Sequence, residues 1–380
     1  MKSTRTGKST ERNRDSDKYL IPILAKTIDV LDCFRNQEES LNLKEIIQRT
    51  NLPHTTAYRI LHTLVARDYL NQNGHLYRLN QLRRRLKFGF ANLSTKISLA
   101  VEIQESLEKA AAVAGVDLMV WDNDRDADKA LTNAEEMANE RVDIAIEFQL
   151  FEQVAPVIAD IFARARIPVI SIVNPHHSSL YLGVDNYRAG FSAGMALADY
   201  AIRHWKGKVD ALLLLESRPA GRTVQSRLIG VWRGVESRVG ALRQNSVHHL
   251  DSGGDKVTSR NAVETLIRKV AARSILIAGI NDETAIGAAE ATKKLRGGRD
   301  VAIVGHGGSP EMIRMVVDPD SPCIGTVLFH PELYGSELVR FALMTLRGKS
   351  TTPAHYIEHE LIGKNSAIPA SMTEHAVSSL

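Results

Sequence analysis

A pattern of two short helices and a β-hairpin runs through residues 41–79, LNLKEIIQRTNLPHTTAYRILHTLVARDYLNQNGHLYRL. Asn42, with Glu45 three residues later, predicts a capping box that opens a helix over 43–50. Asn51 tolerates the left-handed conformation that ends such a helix, and Pro53 suits the first position of the next one. The apolar residues of that next helix recur at intervals of three and four: Ala57, Ile60, Leu61, Leu64 and Val65. Two helices joined by so tight a turn predict a helix-turn-helix.

The flanking residues extend this prediction to a winged helix-turn-helix over 21–80. Two strand-like runs, 69–72 and 75–79, flank Asn73-Gly74, the pair preferred in tight β-hairpin turns. On the other side, apolar residues at helical spacing predict a first helix that turns one face to the core; they are Leu24, Ile28, Leu31 and Phe34.

Charge is distributed unevenly along the 380 residues. Residues 1–90 contain 17 basic and 9 acidic side chains, a net charge of +8, whereas the remainder contains 31 basic and 35 acidic, a net charge of −4. With 44% hydrophobic and 24% charged residues, the chain is neither collagenous nor mostly disordered. Its length predicts two or three compact units. We therefore expect a polyanion-binding N-terminal part on a neutral-to-acidic body.

Several expectations concern location and the chain's outer segments. Cys33 and Cys323 are too far apart in sequence to indicate a disulfide framework or a cysteine-based zinc site. No apolar run approaches the roughly 18 residues of a membrane span, and the start is polar, without the apolar core of a signal peptide. We expect a cytoplasmic protein with no membrane partner. Residues 1–20 are expected to form a flexible basic arm, 81–87 a basic linker and 363–380 a tail.

The polar side of the second helix of the motif is the predicted contact surface for double-stranded DNA. The side chains that can reach base edges are His54, Thr55, Thr56, Tyr58 and Arg59. We expect Arg59 to make the strongest single contact. Candidates for phosphate contacts are Lys44, Arg67, Arg78 and the run Arg83 to Arg85. The alternatives are solvated charges on a helix face, or a winged helix that binds protein.

From about residue 88 to 362, apolar strands alternate with amphipathic helices, which predicts parallel sheets covered on both faces. The clearest strands are 116–121, 142–147, 168–173, 181–184, 211–215, 274–280 and 301–304. Because this part is large for one core, we expect two doubly wound lobes. The first lobe should comprise 88–185 and 330–350, and the second 187–328 and 354–362. The predicted fold class is α/β, with a winged helix-turn-helix before a two-lobed domain of parallel sheets.

Two family resemblances agree with this organisation. Residues 21–79, through the motifs at 42–47, 51–61 and 69–79, resemble the winged helix-turn-helix of IclR-type transcriptional regulators. That resemblance implies a recognition helix carrying Thr55, Thr56, Tyr58 and Arg59; the sequence departs from the family at Asn51, where glycine is usual. The segment 86–362 resembles the type I periplasmic-binding-protein fold of ribose-binding proteins and LacI-type effector domains. The motifs that carry this second resemblance lie at 167–171, 183–190, 227–232 and 281–288.

The second resemblance implies a small ligand held between two lobes by Arg227 and Asn281. The alternatives are a surface arginine and a helix N-cap. The family pattern is incomplete, because Gly307 stands where an Asp is usual, Val173 and Asn174 replace Asp and Arg, and Phe329 replaces a polar Gln. A free hexose or pentose is therefore disfavoured. The residues that could replace the missing contacts are Lys96, Ser98, Asn174, His176 and His306, and Phe329 is also expected to contact the ligand.

Other chemistries find little support in the sequence. The run Gly305 to Gly308 lacks a phosphate-loop pattern. The histidine pairs 176–177 and 248–249 have no metal-ligand spacing and are expected in solvated loops. Because no GxSxG or HExxH motif occurs, an enzyme ranks third, and no cofactor or metal is expected.

The leading hypothesis is therefore a ligand-responsive regulator that binds operator DNA as a homodimer and senses a sugar-like metabolite. The rivals are a domain that has lost its ligand and serves for dimerisation, and a transporter's solute-binding protein.

Overall fold

The computed structural model describes residues 21–36, 39–80, 85–293, 299–349 and 351–366. The chain divides into two compact units, 1–85 and 86–380. The expected basic arm, Arg83 and Arg84 of the expected linker, and most of the expected tail lie outside the described residues. Within the described ranges, no helix has both the length and the hydropathy needed to cross a bilayer.

The first unit is a small helical fold with a three-stranded antiparallel sheet in the order β1-β3-β2. Its elements are α1 (Pro22–Asp32), β1 (Ser40–Asn42), α2 (Leu43–Thr50), α3 (His54–Ala66), β2 (Leu70–Asn73) and β3 (Leu76–Leu79). The predicted pattern did not contain β1, which pairs with β3 and so adds a strand to the wing. The core joins Val30, Phe34 and Ile46 to the apolar side of α3.

The capping signals of this unit behave as predicted. The Asn42 side chain accepts a hydrogen bond from the Glu45 amide at 3.0 Å, and the Asn42 amide donates to Glu45 Oε2 at 2.8 Å. Asn51 ends α2 in the left-handed region with φ of 53°. Two predicted positions were wrong by one residue. Pro53 is the N-cap of α3 rather than its first residue, and the hairpin loop is Gly74-His75 rather than Asn73-Gly74. Gly74, with φ of +60°, occupies the first loop position, where a type II′ turn takes glycine.

The predicted core face of α1 is also wrong in part. Phe34 is buried, but Leu24 is 54% exposed and Ile28 is 48% exposed. The one fully buried side chain of α1 is Val30, because the helix meets the core mainly through its C-terminal end. Ile21, Leu24 and Ile28, at intervals of three and four, therefore form an exposed apolar strip, which we call the α1 strip.

The second unit has two six-stranded sheets, each covered by helices, as the alternating pattern predicted. The strands of the first sheet, in the order β14-β8-β7-β6-β4-β5, are β4 (Lys87–Asn92), β5 (Asp117–Asp122), β6 (Ile144–Phe148), β7 (Val169–Ile172), β8 (Leu180–Val184) and β14 (Ala354–Ile357). The strands of the second, in the order β10-β9-β11-β12-β13-β15, are β9 (Ala211–Glu216), β10 (Val247–Asp251), β11 (Ser274–Gly279), β12 (Asp300–Gly307), β13 (Cys323–Leu328) and β15 (Glu360–Gly363). All neighbouring strands are parallel except β13 and β15.

The helices of this unit alternate with the strands along the chain. They are α4 (Ser98–Ala114), α5 (Ala127–Asn139), α6 (Ala155–Ala165), α7 (Asn186–Trp205), α8 (Gly221–Val239), α9 (Lys256–Lys269), α10 (Asp282–Thr292), α11 (Pro310–Val317) and α12 (Pro331–Leu346).

One expected lobe boundary is corrected by the strand pairing. Residues 354–362 were expected in the second lobe, yet β14 pairs in parallel with β8 of the first sheet, with Ala354 opposite Tyr181. Only β15 joins the second sheet. The chain therefore passes from the first lobe to the second between residues 357 and 360.

Helices α7 and α8 lie in unusually close contact, because glycines remove the side chains between them. A Cβ atom on Gly190 would lie 1.7 Å from the carbonyl oxygen of Arg227, and one on Gly194 would lie 2.1 Å from that of Val231. Gly230 and Gly234 of α8 face the α7 backbone in the same way. Two of the motifs that carried the second resemblance thus supply a helix contact, and this contact fixes the backbone that carries Arg227.

Candidate functional site

A cleft lies where the carboxyl ends of the strands of both sheets meet. Its volume is about 80 Å³, which exceeds the space that one water molecule needs. Strand-end residues line it from both lobes, among them Phe148 and Val173 of the first and Ile280 and Phe329 of the second. The wall is mostly apolar, so its few polar side chains decide what it can bind.

Arg227, on α8, is 5% exposed and is held by uncharged groups. Its Nε and Nη2 donate to Asn186 Oδ1 at 3.1 and 2.6 Å, and its Nη1 donates to the carbonyl oxygen of Ile280. The guanidinium carbon lies 4.7 Å from the centre of the Phe329 ring. Burial lowers the pKa of Arg227 to about 10, so the side chain remains a cation at neutral pH.

His306, at the end of β12, presents a hydrogen-bond acceptor. It is 1% exposed, and its Nδ1 lies 2.7 Å from the carbonyl oxygen of Gly279. A carbonyl only accepts, so Nδ1 carries the proton and Nε2 carries a lone pair. Burial, reinforced by the charge of Arg227, lowers the pKa of His306 to about 3 and keeps the ring neutral. Among the described residues, nothing donates to the buried Nε2.

The glycine run 305–308 makes room for the carboxylate of Asp282. A Cβ on Gly305 would lie 2.3 Å from Asp282 Oδ1, and one on Gly307 would lie 3.2 Å from Oδ2. The carboxylate accepts from Thr326 Oγ1 and from the Ser309 amide, each at 2.6 Å. Burial raises the pKa of Asp282. An acid from the start of α10 thus lies close to the position where the family carries its Asp, and the sequence pattern did not reveal it.

Asn281 lines the cleft, but its side chain is already hydrogen-bonded within the protein. It is the N-cap of α10, which was the alternative to a ligand-binding role. Its Oδ1 accepts from the Thr284 amide at 3.0 Å, and its Nδ2 donates to the carbonyl oxygen of Gly254 at 2.9 Å. The structure therefore brings together Arg227, Asn281, His306 and Phe329 of the predicted ligand residues.

Four other predicted residues do not line the cleft. Lys96 is 75% exposed and pairs with Asp124 at 2.7 Å, while Ser98 donates to Glu102 at 2.8 Å. Asn174 and His176 are buried in the loop after β7, where His176 Nδ1 lies 3.1 Å from the Asn174 carbonyl oxygen.

The two histidine pairs also differ from expectation. His176 is not a solvated loop residue, and its burial lowers its pKa to about 4. His248 and His249 lie in β10 rather than in a loop. In the described ranges, no group of three or more His, Cys, Asp or Glu side chains is arranged to hold a metal ion.

Two further charged residues of the cleft, Arg125 and Glu283, were missed by sequence reasoning. Arg125, in the loop after β5 of the first lobe, donates from Nη2 to the carbonyl oxygen of Gly253 of the second lobe at 2.6 Å. It therefore links the two lobes across the cleft. Burial, with the neighbouring Asp282, raises the pKa of Glu283 to about 7. Arg125 belongs to no recognisable motif, because the approach of two distant loops places it, whereas Glu283 lies in the motif at 281–288, in which only Asn281 was predicted to bind ligand.

The candidate DNA-contact surface is the exposed side of α3. His54, Thr55, Tyr58 and Arg59 are exposed, and Thr56 is half-buried. The opposite side is buried through Ala57, Ile60, Leu61 and Leu64. Thr55, Thr56 and Arg59 also line a groove of about 420 Å³ beside α1.

The phosphate candidates of this unit differ in accessibility. Lys44 is exposed on α2, whereas Arg78 is half-buried in β3 and has a partner within the fold. Arg49, which sequence reasoning did not single out, forms a two-pronged ion pair with Glu39 at 2.9 Å. That pair lowers the pKa of Glu39 to about 2.

Comparison with known proteins assigns each unit to a family. Residues 23–74 match the model of the IclR helix-turn-helix domain, and residues 88–350 match that of the periplasmic binding protein domain. The chain is 22% identical over 252 residues to the ribose import binding protein of Bacillus subtilis, which covers 66% of this chain and 78% of that protein. It is 33% identical over 93 residues to the Pca regulon regulatory protein of Pseudomonas putida, covering 24% of this chain and 31% of that one.

Solved structures show the same fold. A glucose-galactose binding protein from Geobacillus stearothermophilus aligns with a TM-score of 0.63 at 24% identity, over 74% of this chain and 98% of that one. The arabinose-transporter binding protein of a Shewanella species aligns with a TM-score of 0.64 at 18% identity, over 77% and 96%. The chain therefore belongs to the periplasmic binding protein domain family and carries an IclR helix-turn-helix domain ahead of that domain in its sequence.

Proposed function

We propose that this protein is a ligand-responsive transcriptional regulator that acts in the cytoplasm. Its first unit binds double-stranded operator DNA, and its second unit senses a small sugar-like metabolite. The proposal depends on one observation: the same chain contains an IclR helix-turn-helix domain and a cleft lined by the buried, charged side chain of Arg227. A ligand that binds one arrangement of the lobes more tightly would shift their equilibrium and so alter DNA binding.

DNA binding is supported by the arrangement of α3. Its exposed side carries Thr55, Tyr58 and Arg59, while its buried side fixes the helix on the core. Among the described residues, the guanidinium of Arg59 has no hydrogen-bond or ion-pair partner, so it is available to a guanine edge or a phosphate.

A homodimer is supported by the α1 strip, Ile21, Leu24 and Ile28, each about half exposed. Apolar side chains at this spacing on one helix face suit pairing with the same face of a second copy. Two recognition helices would then meet half-sites about one helical turn apart, as helix-turn-helix dimers do.

The DNA-binding proposal is tested by selecting a bound sequence from a random DNA pool and then titrating it. Arg59→Ala should weaken specific binding by about 1–3 kcal/mol and relax the preference at one base pair. Lys109→Ala, which removes an exposed cation from the second unit, is the charge-matched control. Equal affinities and equal preferences for wild type and Arg59→Ala would refute the role of Arg59.

The sensor proposal is tested by thermal shift against sugars, sugar acids, polyols, phosphosugars and nucleosides, with Arg227→Ala alongside. A ligand at about 100 times its Kd stabilises the folded state by about 2.7 kcal/mol. A shift that disappears in Arg227→Ala supports the sensor. If no compound shifts the protein while DNA binding persists, the second unit serves dimerisation, and solution molecular mass then reports the dimer.

A further inference from the structure

Among the described residues, no anionic group pairs directly with the charge of Arg227. Its hydrogen bonds go to an amide oxygen and a backbone carbonyl, and the nearby carboxylate of Asp282 favours its charge only from beyond ion-pair distance. A buried cation is stable only when paired or well hydrogen-bonded, and neutral acceptors compensate it incompletely. An anion brought by a ligand would complete this arrangement.

The acidic side chains that line the cleft either accept hydrogen bonds from other residues or carry only part of their charge. Asp282 accepts from Thr326 and Ser309, and Glu102 accepts from Ser98. Glu283 has its pKa raised to about 7, so that near neutral pH its charge is only partly present. The second cation of the cleft, Arg125, donates to a backbone carbonyl rather than to an acid.

His306 sets a second, independent requirement. Its Nε2 is buried, accepts hydrogen bonds and has no donor among the described residues. A ligand that excludes water from this nitrogen therefore needs a hydroxyl or N–H group to donate to it, because a buried acceptor left unpaired is unfavourable.

Phe329 brings the two requirements within reach of one small molecule. The Arg227 guanidinium carbon lies 4.7 Å from the centre of the Phe329 ring, and the centre of the His306 ring lies 6.4 Å from it. An anionic group at Arg227 and a hydroxyl at His306 can thus belong to a single small molecule, because both side chains lie beside the same aromatic ring.

We infer that the cleft selects a hydroxylated carboxylate, such as a sugar acid, over the neutral sugar or polyol of the same skeleton. The carboxylate accepts from Arg227, and a hydroxyl donates to His306 Nε2. This inference rests on the proposed sensor function and adds the chemical class of the ligand. It accounts for the absence of the family's Asp at Gly307, because an added acid there would repel an anionic ligand.

The test compares matched pairs by isothermal titration calorimetry: D-glucuronate with D-glucose, D-galacturonate with D-galactose, and D-gluconate with D-glucitol. In at least one pair the acid should bind about tenfold or more tightly than its neutral partner, as expected for a hydrogen bond between charged groups. Arg227→Met should abolish the preference, and Arg227→Lys should retain part of it. His306→Phe should weaken the acid about fivefold while keeping the preference. Lys96→Ala, an exposed cation outside the cleft, should change nothing.

The outcomes separate this inference from the proposal on which it rests. Equal or tighter binding of a neutral partner, lost in Arg227→Met, overturns the ligand class and leaves the sensor intact. An acid preference that persists in Arg227→Met overturns the role of Arg227. No binding by any of the six compounds overturns the inference and counts against the sensor. Thermal unfolding of each variant checks that it is folded. If Arg227→Met does not fold, Arg227→Lys takes its place, and its preference for the acid should be smaller than that of the wild type.

Discussion

Substituting Gly190 with alanine tests whether the close contact of α7 and α8 fixes Arg227. In an ordinary helix interior this change stabilises the fold by roughly 0.5–1 kcal/mol, because alanine is the better helix former. Here the added Cβ would lie 1.7 Å from the carbonyl oxygen of Arg227, about half of an ordinary van der Waals separation. The helices must move apart, so we expect a net loss of about 1–3 kcal/mol, typical of overpacking. The sign of the effect therefore distinguishes the two expectations.

The assay is urea unfolding of the full chain, followed by ligand titration of the folded variant. Displacement of the α8 backbone should also weaken binding of any ligand that depends on Arg227. Gly363→Ala is the matched control, since a Cβ there meets its nearest atom at an ordinary 3.7 Å. If Gly190→Ala were as stable as wild type or more so, and bound ligand equally well, the inferred contact would be refuted.

Substitutions at three further positions probe the cleft and the first unit. Arg125→Ala removes the 2.6 Å hydrogen bond to the Gly253 carbonyl that links the lobes. Ligand dissociation, followed by stopped-flow, should then be about fivefold faster. An unchanged dissociation rate would show that this hydrogen bond does not hold the lobes closed on the ligand. Burial and Asp282 raise the pKa of Glu283 from 4.5 to about 7, so its ionisation makes folding less favourable as pH rises through that window. Glu283→Gln should therefore be more stable than wild type above about pH 7 and equal to it near pH 4, in urea unfolding at each pH; a parallel pH dependence would contradict this. Asn51→Ala should cost about 1 kcal/mol because φ is 53°, whereas Asn51→Gly should not; equal melting temperatures for the two variants by circular dichroism would argue against strain at this turn.

Features that depend on neighbours three or four residues apart were predictable from the sequence. The capping box of Asn42 and Glu45 and the left-handed Asn51 need only local backbone geometry, and both form. The same local periodicity failed for α1, because it identifies an apolar face without showing whether a partner covers it. Leu24 and Ile28 satisfy the spacing and remain exposed.

Features that depend on strand order and side-chain direction were not predictable. A position near a strand end places Lys96 and His176 at the correct edge of the sheet, but it does not show whether the side chain points toward the cleft. Neither of these two side chains lines the cleft. Asp282 reaches the space beneath Gly307 only because β11 and β12 are neighbours in the sheet. The pairing of β14 with β8 likewise follows from where the chain crosses between lobes.

The placement of Asp282 under the glycine run limits how the specificity of this cleft can be redesigned. A Cβ at position 307 would already lie 3.2 Å from Asp282 Oδ2, and the backbone there has a φ of +138°, which side chains rarely adopt. Restoring the family's acid by Gly307→Asp alone would therefore combine backbone strain with repulsion between two buried carboxylates. Under the acid preference inferred above, conversion of this cleft to neutral sugars therefore requires exchange of positions 282 and 307 together, because Asp282 lies beside the space that a side chain at 307 would enter.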